Sequence, residues 1–422
     1  MDQLPAELVS HVVRHLSNDP SSLRAASQVS SRLLEPTQRI LFRKLELRRP
    51  RHHFDEFPAH GRDYRPGAAL LAIFKQSPHL ATYTKDISIR NHVFTRVNFW
   101  SGVIDVPGWL GLDNDLPLAL ELIPIGGVKS VTMEGLSPWN VLPEATKQVL
   151  ANILRSPSLL VLEINYAPIH LLNLCGPSVI KFKTEYLEDP ITHEPFDGLP
   201  TQPEQESPMR LQAIGISFQP AENSFIKLLL DPNSHFDISG LNVLETTEMD
   251  VALFLGPLIK ICAASLRILS FEAPQEQTDL NLNLSGCVSL EEVVVRGMLI
   301  DPEPEIEGMH CVFPLMEALE SIPSCAPLEC INIRIHHSTT QPIKAEPWME
   351  LDNFLSLRIP NRLPSLARIV VYVQWIRLIH GVFSADEVKS QYEGSLPKLL
   401  RLGLLNVTLG TSFDRFDRYL MV

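Results

Sequence analysis

Cysteine is sparse in this 422-residue chain and never stands at a spacing that metal or redox chemistry uses. Cys175, Cys262, Cys287, Cys311, Cys325 and Cys330 form no CxxC pair, so they are expected to be buried reduced thiols rather than a disulfide framework or a zinc site. Long apolar runs are missing too. None approaches the roughly 18 residues of a membrane span, and Asp2 and Glu7 stand where a secretory leader has its basic lead. The cytoplasm or nucleus is the expected compartment. There is no GxGxxG after a strand, no GxxxxGKS/T, no HExxH and no GxSxG. His52-His53 and His336-His337 have no Cys or carboxylate at ligand spacing, and neighbours on a strand face opposite sides. Asp113 and Asp115 begin like a calcium loop, but the Gly and distal Glu that such a loop needs do not follow. No catalytic residue, cofactor or metal is expected, and the chain reads as something other than an enzyme.

Basic residues are short in most of the chain. The net charge is −13. Residues 1–50 nevertheless hold eight Lys or Arg against five acids, so the remaining 372 residues carry −16. An acidic body is poorly suited to phosphate backbones, which require clustered Lys and Arg, and nucleic acid is not an expected partner. A composition of 45 % hydrophobic and 20 % charged residues is that of a folded chain.

What is present begins at the N-terminus. Leu4, Leu8, Val12 and Leu16 recur every four residues, Val9 and Val13 widen their stripe, and Pro5 and Glu7 suit a first helical turn. Asn18-Asp19-Pro20-Ser21-Ser22 breaks the pattern with turn and cap residues, Leu23, Ala26 and Val29 resume it, and a third segment runs from Leu33 to Phe42. Three short helices in under fifty residues bury little apolar area alone, which predicts a docking partner.

These residues resemble an F-box, the three-helix module by which subunits of SCF-type (cullin-based) ubiquitin ligases grip a Skp-family adaptor. The likeness rests on Leu4-Pro5-x-Glu7-Leu8, Val12, Leu16, Leu23 with Ala25-Ala26, and Val29-Ser30-Ser31. The tail, Gln38-Arg39-Ile40-Leu41-Phe42 into Leu45-x-Leu47, is similar to the fungal form. The family commonly has a Trp a few residues after the Val-Ser step, where this chain has Arg32-Leu33-Leu34. The resemblance implies adaptor contacts from Leu4, Pro5, Leu8, Val12, Leu16 and Leu23, with Val29 and Leu33 supporting the helix packing. The alternative from the residues alone is a helical cap on a larger domain.

Beyond a linker rich in charge, His and Pro, one pattern recurs: an apolar residue, two of any kind, then two apolar residues separated by one. It appears as Val128-x-x-Val131-x-Met133, Leu159-x-x-Leu162-x-Ile164, Leu211-x-x-Ile214-x-Ile216, Leu266-x-x-Leu269-x-Phe271, Leu290-x-x-Val293-x-Val295, Leu328-x-x-Ile331-x-Ile333, Leu366-x-x-Ile369-x-Val371 and Leu399-x-x-Leu402-x-Leu404. Weaker copies fall at Ile87-x-Ile89, Val179-x-x-Phe182 and Leu241-x-x-Leu244. Each ending predicts a short half-buried strand. Helix-like segments, 143–154, 251–261 and 313–322, stand between copies. Helix, turn and strand at a repeating interval resembles the irregular leucine-rich repeats found behind many F-boxes, an α/β solenoid of parallel strands. The Asn that usually follows the strand in that family is mostly absent, with Tyr166, Arg296 and Tyr372 near its place. An ordinary α/β domain fits the same pattern.

The expected organisation is an F-box at 1–47, a linker and first solenoid helix at 48–77, and a solenoid over 78–422. An insertion at 188–208, with five prolines, six acids and no Lys or Arg, is expected to be mobile, and 301–307 is a shorter acidic one. Phe413, Phe416, Tyr419 and Leu420 suggest a closing lid. Trp100, Trp109, Trp139, Trp348 and Trp375 are candidate exposed anchors. Three functions remain open: substrate receptor of a ubiquitin ligase, stand-alone repeat scaffold, and, more remotely, a parallel β-helix hydrolase.

Overall fold

The computed structural model describes residues 5–48, 65–91, 108–136, 139–188, 208–217, 224–232, 234–247, 251–273, 282–299, 312–337, 343–375 and 384–410. Leu4, Trp100, most of the linker, residues 189–207 of the acidic insertion, the stretch 301–307 and the aromatic C-terminal segment lie outside them. The chain divides into two compact units, Met1–Val179 with Tyr186–Met209, and Ile180–Glu185 with Arg210–Val422. Both are α/β, with strands running parallel and helices between them.

The first unit starts with three helices, α1 (Ala6–Arg14), α2 (Pro20–Val29) and α3 (Ser31–Leu41). They lead into four parallel strands, β1 (Lys44–Arg48), β2 (Asp86–Arg90), β3 (Ser130–Glu134) and β4 (Val161–Pro168), each paired with the next in the chain. The expected boundary at residue 47 therefore falls inside a strand. Register follows the repeat: Leu45, Ile87, Val131 and Leu162 lie opposite one another, as do Leu47, Ile89, Met133 and Ile164. From Ile87 onward these side chains are at most 2 % exposed, and burying each contributes roughly 1.5–3 kcal/mol.

The second unit extends the same rule over eight strands: β5 (Lys181–Glu188), β6 (Ala213–Ser217), β7 (Val243–Thr247), β8 (Ile268–Glu272), β9 (Glu292–Leu299), β10 (Cys330–His337), β11 (Arg368–Trp375) and β12 (Leu405–Gly410). Phe182, Ile214, Leu244, Leu269, Val293, Ile331, Ile369 and Leu405 are successive partners. The lead residues Leu211, Leu266, Leu290, Leu328 and Leu366 are buried beneath the turns that enter the strands. Helices Val251–Cys262 and Val312–Ser321 fall on the expected segments of this unit, and Glu144–Leu154 on that of the first.

The last copy is displaced by three residues. Leu399 lies in a short helix, Pro397–Arg401, Leu402 is 55 % exposed, and the strand begins only at Leu405. Pro397 opens that helix at a position where its missing N–H costs nothing, and Gly403, at φ +71°, turns the chain out of it. Leu405 and Val407 then stand opposite Ile369 and Val371.

Asn91, directly after β2, closes that strand's end. It is 2 % exposed; its Nδ2 donates to Gly135 O at 2.9 Å, and Leu110 N donates to its Oδ1 at 3.3 Å. Trp109 Nε1 donates to Arg90 O at 3.1 Å. Gly135 has φ +73°, and a Cβ there would collide with the Asn91 carbonyl oxygen. Gly135→Ala is accordingly expected to lower the melting temperature by about 3 °C or more. Gly126→Ala, where added volume meets nothing within 4 Å, should leave it unchanged. Differential scanning calorimetry of the pair checks both.

Candidate docking site on the N-terminal helices

The head is held together by a small interior. Val9, Val13 and Leu23 are 7 %, 0 % and 1 % exposed, and Leu16, Leu33, Ile40 and Leu41 pack around them half-buried. Asp19 starts α2: its Oδ1 accepts from Ser21 N and Ser22 N, each at 3.1 Å, and Pro20 takes the first helical position. The hydroxyls of Ser21 and Ser22 bond the same carboxylate and, with those amides, hold its pKa down at about 2. Ser30, extended at φ −155° and ψ 140°, ends α2 and caps α3 through Arg32 N at 3.2 Å. Thr37 is fully buried, its hydroxyl donating to the carbonyls of Leu33 at 2.6 Å and Leu34 at 2.8 Å.

A spacing of four does not bury the whole α1 stripe, because the interior takes Val9 and Val13 and turns Leu8 and Val12 outward. Leu8 is 50 % exposed and Val12 54 %. Pro5 is exposed as the residue capping α1, Leu16 is half-buried, and Leu4 lies outside the described residues. Leu23 sits in the interior, so it supports the head from within and offers no surface. Leu33 also packs inward. Val29, expected to support the packing, is 73 % exposed instead, because the chain reverses at Ser30 immediately after it.

Other expectations are corrected by burial. Trp109, Trp139 and Trp348 are 4 %, 2 % and 1 % exposed and serve the core, not a contact surface. Cys325 is exposed, whereas Cys175, Cys262, Cys287 and Cys330 are buried free thiols. Burial pushes Cys175 and Cys262 up to about 12 and Cys287 to about 11, which removes thiolate reactivity from all three. Asp113 forms a turn: its Oδ1 accepts from Asp115 N and Leu116 N, and its Oδ2 from Gly67 N at 2.7 Å. Among the described residues no three His, Cys, Asp or Glu side chains are close enough to hold a metal ion together. No described helix is long and apolar enough to cross a membrane.

A second constellation lies on the opposite strand face of the second unit, where residues alternate with the apolar ladder. Glu245 is opposite Ser270, Ser270 opposite Val294, and Val294 opposite Asn332. Two residues further along the strands, on the same face, stand Glu272, Arg296, Arg334 and Tyr372. Glu245 and Arg296, with side chains 2 % and 13 % exposed, form an ion pair through Oε1 and Nη2. Burial lifts the Glu245 carboxyl above the ordinary carboxylate range, against the downward pull of Arg296, Lys183 and Arg334. Glu245 Oε2, Ser270 Oγ and Asn332 Oδ1 are buried without a hydrogen-bond partner. The period-two alternation of β7 to β10 marked these positions as opposite the core, but not that a charge pair would be enclosed there.

No protein-family model matches the chain, and no curated protein matches it.

Removing Arg296 takes away the cation bonded to the buried Glu245 carboxylate and leaves it only the longer-range attraction of Lys183 and Arg334. Arg296→Met is expected to cost about 3–5 kcal/mol at pH 7. A carboxyl whose folded pKa is raised adds stability below its unfolded pKa and loses it as pH rises through the folded value. The deficit of Arg296→Met should therefore shrink as pH falls toward 5, and Glu245→Leu with Arg296→Met should recover most of it. Urea unfolding at the two pH values measures both effects.

Proposed function

We propose that the protein is a non-catalytic substrate receptor of an SCF-type ubiquitin ligase acting in the cytoplasm or nucleus. In this reading the head is an F-box that binds a Skp-family adaptor and, through it, a cullin, while the following units form a leucine-rich-repeat-like solenoid that holds a protein substrate. One observation carries it: a helical head whose described interior centres on three buried apolar residues turns Leu8 and Val12 outward, half exposed, from the segment whose residues resemble an F-box. Apolar side chains facing water on so small a unit favour a covering partner. Pro5 and Leu16 border them; Leu23 acts from inside.

A stand-alone repeat scaffold capped by the same helices is the second reading. It is favoured by the close link of α3 to the strands. Only Phe42 and Arg43 separate α3 from β1, and their carbonyls accept from Thr84 Oγ1 at 3.3 Å and Lys85 N at 2.8 Å. Arg39 also lies over the Tyr83 ring, 5.6 Å from its centroid.

Co-purification with a Skp-family adaptor separates the two. Leu8→Asp and Val12→Asp are each expected to weaken adaptor binding by about a hundredfold or more, because each buries an unpaired charge in the interface. Both positions are already half in water, so circular dichroism and melting temperature should stay those of the unaltered chain. Wild-type protein that captures no adaptor, or binding that survives both changes, would leave the scaffold reading standing.

A further inference from the structure

We propose that His11 and His15 form a two-histidine clip for a divalent transition-metal ion on the outer face of α1. The two residues are four apart on one helix, so they stand one turn above the other on the same side. Their Nε2 atoms are 3.3 Å apart, with ring centroids at 4.8 Å and planes at 87°. An ion bound by imidazole at about 2.0–2.1 Å with tetrahedral angles has its nitrogen ligands about 3.3–3.4 Å apart. The same 3.3 Å contact is a hydrogen bond between the rings, so both are already at chelating separation, and the donating ring need only carry its proton on Nδ1 for both Nε2 atoms to offer lone pairs to an ion. Both are exposed, so an ion reaches them without opening the fold.

The chemistry of the pair narrows the ligand. Imidazole nitrogen favours zinc, nickel and copper over magnesium or calcium, which take oxygen. With two protein ligands the ion keeps open positions for water or for a donor from another molecule. Leu8 and Val12 share the exposed side of α1 with the pair, so a bound ion borders the apolar face proposed above for docking. The clip itself does not rest on that reading. His52-His53 and His336-His337 are adjacent in sequence, whereas His11 and His15 become neighbours only on a helix.

The test uses the full-length chain, zinc chloride as probe and diethyl pyrocarbonate labelling read peptide by peptide, which separates His11 and His15 from the other twelve histidines. Zinc is expected to protect both from labelling, magnesium chloride to protect neither. In His11→Ala, protection of His15 should require about tenfold or more zinc, because one arm of the chelate is gone. His15→Ala should do the same to His11, and circular dichroism should show both variants folded as before. Absence of protection in the wild type, or protection of each histidine that is indifferent to loss of the other, would overturn the clip. Neither outcome bears on adaptor binding, which is measured without added metal.

Discussion

Within each unit everything depends on one apolar side chain recurring at the same level of every strand. A parallel strand has no tight hairpin to set its register; what sets it is the penalty for slipping by one residue, which would turn every buried side chain to the other face. Ile87, Val131 and Leu162 in the first unit, and Phe182 through Ile369 in the second, occupy that level. The residue two further along repeats the constraint in most strands. The lead residue of each copy then fixes the turn, and the helices between strands follow from the need to bring the chain back to the same end.

The opposite strand face is governed by the strand period alone, since every second residue must point there whatever its chemistry. In the second unit that brings Glu245, Ser270 and Asn332 onto one row, with Arg296 two residues beyond it on the same face. Their burial costs desolvation that a single ion pair offsets only in part, as the raised pKa of Glu245 reflects. A row of enclosed polar groups is an inefficient way to build stability. What it fixes is position, because each enclosed polar group tolerates few alternative placements.

The head works at a smaller scale. Asp19 and Ser30 decide where α2 and α3 begin, so they decide which residues of those helices meet α1. With Val9 and Val13 turned to Leu23, the geometry of an α-helix leaves Leu8, Val12, His11 and His15 outside together. An exposed apolar pair and an exposed histidine pair on one helix are two consequences of the same small interior.

The sequence by itself determined most of the strands and their alternation of burial, because a pattern of period two needs no distant information: ten of the eleven copies read from it lie in strands, at matching register within each unit. It also marked the head's helices through Pro5, Asp19-Pro20 and Ser30, whose effects are local. The final strand escaped that reading, since Pro397 and Gly403 insert a helical turn that makes Leu399 and Leu402 mimic the repeat. Tertiary structure alone decided which apolar residues face water, Val12 and Val29 outward against Val13 and Leu23 inward, and which tryptophans are core. It alone brought Glu245 to Arg296 across 51 residues and set the ring geometry of His11 and His15. Those are outcomes of packing between segments, and packing energy depends on neighbours that periodicity along one segment does not name.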